Sequence, residues 1–86
     1  MKLSSKFIVH NSGDESILVP TGAADFSGIV KGNRSVGFIY ECLKTDTTRD
    51  KIVAAMKEKF DAPAEKLERD VDDVLEKLRG IGAIDE

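Results

Sequence analysis

Tryptophan is absent from this 86-residue chain, and cysteine, histidine and tyrosine occur once each. The single cysteine, Cys42, has no partner for an internal disulfide. Stability must therefore come from packing, and a lone thiol fits a reducing compartment. Met1 to Lys6 lacks the roughly 7–15-residue apolar segment of a secretory signal. No run approaches the ~20 apolar residues of a membrane span. The expected setting is cytoplasmic, without a membrane partner.

Catalytic and metal-binding side chains are equally sparse. One Cys and one His cannot supply a thiolate or imidazole metal centre. His10 falls in a strand pattern with no orienting partner nearby in sequence, so it is not read as a general base. Cys42 lies beside the apolar face of a helix and reads as a small hydrophobe. Asp70, Asp72 and Asp73 are close in sequence, but on a helix Asp72 and Asp73 diverge by about 100°, and they read as a solvated face. Asn11 to Glu15 is too short for a calcium loop. Gly22, Gly28 and Gly32 form no phosphate cradle, and no G-K-[ST] follows a strand. We therefore expect no catalytic residue, no metal and no cofactor.

What is present is 41% apolar and 34% charged residues, the balance of one small folded domain. Phe7-Ile8-Val9-His10 and Ile17-Leu18-Val19 predict two strands. A turn-forming loop of about five residues, Asn11 to Glu15, joins them, and Pro20 stops the second. Phe26-Ser27-Gly28-Ile29-Val30 predicts a third strand. Asn33 is a good N-cap for a first helix, where Val36, Ile39, Tyr40 and Leu43 share one face. Gly37 is a weak point there, costing about 1 kcal/mol relative to Ala. Thr47 or Thr48 caps a second helix, and Thr47 with Asp50 fits a capping box. Ile52, Val53, Met56 and Phe60 form its stripe.

The third helix has the clearest pattern. Pro63 suits its first position, and Leu67, Val71, Val74, Leu75 and Leu78 make its buried stripe. Lys77 and Arg79 suit its negative end, Gly80 and Gly82 end it, and Ile84 is expected to fold back onto the core. The order βββααα predicts an α+β domain, a three-stranded antiparallel sheet followed by three helices in a winged-helix-like arrangement.

Such a fold raises DNA binding, with helix three as the reading element. The charge opposes it. The chain carries 13 Lys and Arg against 16 Asp and Glu, a net −3. Helix three alone sets Lys66, Arg69, Lys77 and Arg79 against Glu65, Glu68, Asp70, Asp72, Asp73 and Glu76. An anionic helix is repelled by phosphates. A DNA-binding winged-helix regulator is thus the alternative, and no nucleic-acid partner is expected. An exposed third strand would instead template an added peptide strand, or pair with its own copy in a structural role.

Gly28-Ile29-Val30-Lys31-Gly32-Asn33, followed by Val36 to Leu43, resembles the centre of the PqqD-like family, named for coenzyme PQQ synthesis protein D. Thr48 to Met56 resembles its second helix. Asp70-Val71 and Leu75 to Gly82 resemble its third helix and terminal Gly, and Val19-Pro20-Thr21-Gly22 closes a similar hairpin. The resemblance implies a non-catalytic recognition element that binds the leader of a ribosomally made precursor peptide. It implies presentation of that leader to a modifying enzyme, radical SAM or other, as in PQQ-type biosynthesis. It further implies strand addition beside Gly28, Ile29, Val30, Lys31 and Gly32. The helix wall would come from Lys66, Asp70, Asp73, Val74 and Lys77. In this family a large apolar residue is usual where Gly32 stands, and Trp is common where Tyr40 stands. Removing a ladder donor with Ile29→Pro is expected to weaken leader binding while the core stays folded. A monomer or weak dimer is expected.

Overall fold

A computed structural model describes residues 1–22, 28 and 30–86. Strands β1 (Lys2–Leu3), β2 (Phe7–Ser12), β3 (Glu15–Pro20) and β4 (Val30–Gly32) come first. Helices α1 (Arg34–Cys42), α2 (Arg49–Lys59) and α3 (Ala64–Gly80) follow, then β5 (Ile84–Asp85). Strands β2, β3 and β4 form an antiparallel sheet in that order, so the expected α+β fold is the observed one.

The hairpin is tighter than its composition suggests. Ser12 pairs with Glu15, so the loop is two residues, Gly13 and Asp14, and not five. Gly13 has φ 62°, as a type II′ turn requires at its first central position, and that turn matches the strands' twist. Asn11 and Ser12 are turn formers by composition but continue the ladder as part of β2.

The third strand lies further along than predicted. Val30, Lys31 and Gly32 pair with Leu18, Ile17 and Ser16 of β3. Of the predicted segment, Phe26, Ser27 and Ile29 lie outside the described residues.

The helix ends obey local chemistry. Asn33 caps α1, its side chain accepting from the Val36 N–H at 3.0 Å. Thr48, not Thr47, caps α2 by accepting from the Lys51 N–H at 3.2 Å. The Thr47–Asp50 capping box therefore does not form. Pro63 stands one residue before the first helical residue of α3, with ψ 140°. Its carbonyl accepts from the N–H groups of both Lys66 and Leu67 at 3.1 Å. Gly80 stays helical. The chain reverses at Gly82 (φ 74°), with the Ala83 N–H on the Leu78 carbonyl at 2.8 Å and the Gly82 N–H on the Arg79 carbonyl at 3.2 Å. This is a Schellman motif, and only glycine takes its left-handed residue at no cost.

Side chains from all three helices and the sheet share one core. Leu18, Ile39, Leu43, Ile52, Met56 and Val71 are fully buried. The α3 stripe of Leu67, Val71, Val74, Leu75 and Leu78 is buried throughout, each side chain stabilising by about 1.5–3 kcal/mol. Asp72 is not merely solvated. Arg49 of α2 grips its carboxylate with two hydrogen bonds, 2.8 and 3.0 Å, clamping α2 to α3. This pairing holds the Asp72 carboxyl below its ordinary range.

Two elements escape the sequence pattern. β1 and β5 pair antiparallel, Leu3 opposite Ile84. The Leu3 N–H also reaches the Leu43 carbonyl, and the Ser4 N–H the Ala83 carbonyl, both at 2.8 Å. Ile84, expected to return to the core, packs half-buried against it from β5.

Candidate functional site

Strand β4 pairs with β3 on one side only, so its other edge carries main-chain groups without a strand partner among the described residues. An edge of this kind accepts a further strand. What surrounds it decides what would bind.

Beside the edge lies a cavity of about 210 Å³. Val30 and Lys31 of β4, with Val36 and Tyr40 of α1, form one side. Val74, Lys77 and Leu78 of α3, with Ile81 just beyond it, form the other. The floor is apolar and the two lysines stand at the mouth. Tyr40 is almost fully buried, and burial pushes its phenol above the ordinary value. Its ring therefore contributes as a neutral wall.

A second cavity of about 230 Å³ continues this groove toward the start of α1. Val36, Val74 and Lys77 line both. The second adds Asn33, Ser35 and Ile39 on one bank and Lys66, Asp70 and Asp73 on the other. A continuous trough thus runs between α1 and the face of α3 that carries residues 66, 70, 73, 74 and 77. The i, i+4, i+7, i+8, i+11 spacing puts these residues on one flank of the helix.

The charges along this flank differ in their commitments. Lys66 is paired with Asp70 at 3.0 Å. Lys31 reaches Glu15 only at 4.0 Å, with both side chains more than half exposed. Asp73 and Lys77 have no ion-pair partner among the described residues.

Most of the anticipated residues therefore meet. Val30, Lys31, Val74 and Lys77 surround the apolar cavity, and Lys66, Asp70 and Asp73 extend it. Gly28 is exposed with φ 124°, a conformation that side chains disfavour. Ile29 lies outside the described residues. Gly32 has a specific steric reason: a Cβ there would stand 2.7 Å from the Val36 Cβ. The end of β4 thus meets α1 too closely for a large apolar residue at this position.

Sequence reasoning missed Val36, Tyr40, Leu78 and Ile81 as groove residues. Their helical periodicity marks three of them as core, and each serves the core and lines the trough. The signal was available, since Val36 and Tyr40 are one turn apart and follow directly on β4.

Beyond the groove, α1 is tied to the hairpin. Ser16 Oγ donates to Asn11 Oδ1 at 2.6 Å, and the Asn11 amide donates to the Glu41 carboxylate. Gly37 lies buried against this network. Burial pushes the Cys42 thiol up, aided by the Glu41 charge, which is the reverse of what a reactive thiolate needs.

Two solved structures share the fold. TbiB1 in complex with the TbiA(beta) leader peptide is 21% identical, with a TM-score of 0.76 over 93% of this chain and 90% of that chain. Lasso peptide synthetase B1 complexed with the leader peptide is 13% identical, with a TM-score of 0.73 over 95% and 93%. No curated protein matches the chain. The model of the family described as coenzyme PQQ synthesis protein D matches residues 15–84. That span runs from β3 through the groove to the returning strand β5, and the chain belongs to the PqqD family.

Proposed function

We propose that this protein binds the leader of a ribosomally made precursor peptide as an added strand on β4, and holds it for a peptide-modifying enzyme. The observation that carries the reading is the unpartnered edge of β4 running along an apolar trough walled by α3. Main-chain hydrogen bonds along such an edge give affinity, and pockets for alternate side chains give specificity. Both fold neighbours are complexes with a leader peptide, which supports a leader peptide as the ligand here.

The role is binding, without a catalytic step at this site. The groove offers an apolar floor, the three lysines Lys31, Lys66 and Lys77, and one carboxylate, Asp73, with no ion-pair partner among the described residues, and its one phenol is buried and held neutral. The enzyme served is a radical SAM enzyme or another peptide-modifying enzyme. Duplex DNA is a poor fit. On α3, Lys66 is committed to Asp70 and Arg79 to Glu86 at 2.7 Å, which leaves little cationic surface to displace counterions. One short strand and one trough make a small interface, so affinity falls at roughly micromolar to sub-micromolar.

The test is an amide chemical-shift titration of the labelled protein with short peptides encoded beside its gene. Shifts along Val30 to Gly32 and along the Lys66–Lys77 flank are expected. Spectra unchanged by every such peptide contradict the proposal.

A further inference from the structure

The groove's charges carry more information than its shape. Four charged side chains on α3 face the trough, in the order Lys66, Asp70, Asp73, Lys77. The first two neutralise each other at 3.0 Å. The last two, although one helical turn apart, have no ion-pair partner among the described residues. On α3 the trough therefore presents one uncommitted negative group and one uncommitted positive group, in that order, toward the Leu78 and Ile81 end of the apolar cavity, which Lys77 also lines.

We propose that the peptide taken by this groove carries a base, an acid and a large apolar residue at alternate positions on the face that meets α3. The base faces Asp73, the acid faces Lys77, and the apolar side chain fills the cavity of about 210 Å³. This rests on the strand-addition reading above and specifies the ligand within it.

The spacing follows from backbone geometry. Asp73 and Lys77 are separated by about 6 Å along a helix rising 1.5 Å per residue. Two residues of an extended strand span about 6.6 Å. Side chains at i and i+2 of a strand point to one face, so a base and an acid two positions apart match the two helix charges. The apolar cavity begins at Val74 and Lys77 and runs to Ile81, one further strand step beyond the acid. Lys31 lines the same cavity and is held only by the long contact to Glu15, so it reinforces the preference for an acid there. The peptide's apolar residue supplies most of the affinity, and the charges set its register. Each exposed pair adds about two- to fivefold in affinity, so both together discriminate a matched peptide from its charge-reversed form.

The experiment is selection of a displayed library of random nine-residue peptides on the folded protein, in parallel with the D73K/K77D double variant. Both altered residues are exposed, and the variant keeps the net charge. The expected result is enrichment of base–x–acid–x–apolar, read in either chain direction, on the wild type, and of acid–x–base–x–apolar on the variant. An apolar preference with no charge pattern, or one pattern on both proteins, overturns the inference while leaving strand addition standing. Enrichment of no sequence at all overturns both. A synthetic matched peptide and its charge-swapped form then give the affinity ratio, expected at about fivefold or more and inverted on the double variant. A ratio of one on either protein overturns the inference.

Discussion

Replacing Gly37 by alanine in the middle of α1 should destabilise the protein, although helix propensity alone predicts the opposite. At an exposed helical site the change gains about 1 kcal/mol. Here a Cβ on residue 37 would collide with Ser16 Oγ and lie 3.0 Å from Ser16 Cβ. Ser16 sits on β3 and is itself buried. The helix must lift from the sheet, or Ser16 must rotate and lose its 2.6 Å hydrogen bond to Asn11. Overpacking costs about 1–3 kcal/mol, and the lost hydrogen bond about 0.5–1.5 kcal/mol. Set against the propensity gain, the net loss is about 0.5–3.5 kcal/mol. For a domain of this size that lowers the Tm by roughly 2–28 °C. Thermal unfolding followed by circular dichroism measures it, and the double variant Gly37→Ala with Ser16→Gly removes both colliding atoms. In the Ser16→Gly background the Gly37→Ala change should cost little, giving a coupling of at least about 1 kcal/mol. A Gly37→Ala protein more stable than wild type, or additive effects in the double variant, refutes the close approach of α1 to β3.

Three further outcomes are expected. Gly32→Ala should lower the Tm, because its Cβ meets Val36 Cγ1 as well as Val36 Cβ, and Val36→Ala, which removes Cγ1, should partly restore it; equal loss in both backgrounds contradicts the contact. Gly82→Ala should cost about 1 kcal/mol or more in denaturant unfolding, since the Schellman turn needs φ 74° there; an unchanged midpoint argues against that turn. The Arg49–Asp72 clamp should be pH-dependent. The folded Asp72 carboxyl is held below its ordinary 3.8, chiefly by the Arg49 hydrogen bonds. Its contribution is therefore complete above that value and lost as the pH falls through the lower folded one. Asp72→Asn should thus lower the Tm more at pH 7 than in acid, and a difference that does not shrink as the pH falls contradicts the pairing.

The parts of this fold that were legible in the sequence are those with a periodic signal. The α3 stripe from Leu67 to Leu78 repeats for several turns, and the two hairpin strands are β-branched runs. β1 and β5 have two residues each, too few for any period, and they exist because main-chain bonds to Leu43 and Ala83 hold β1 in place. The hairpin loop was overestimated because Asn11 and Ser12 are common in turns, yet here Asn11 uses its side chain to join Ser16 to Glu41. β4 was displaced because Lys31 and Gly32 lack strand character, and pairing with Ile17 and Ser16 overrides that. The α3 flank of the candidate groove was implied by the family resemblance, since helical spacing alone gives two flanks beside the apolar stripe and does not choose between them. Val36, Tyr40 and Leu78 were hidden by their double use, since a side chain that lines a trough from the core has the pattern of a core residue. Asp72 shows the limit of reading one helix alone, because its partner is 23 residues away.

The central claim is that the leader joins the sheet at the free edge of β4. The most direct measurement is a set of intermolecular nuclear Overhauser contacts between the labelled protein and a leader peptide encoded beside its gene. Cross-strand contacts from the peptide backbone to Val30, Lys31 and Gly32, with peptide side chains touching Val74 and Leu78, are the predicted result. A bound peptide whose contacts fall elsewhere, on α2 or on the outer face of β2, would contradict the account.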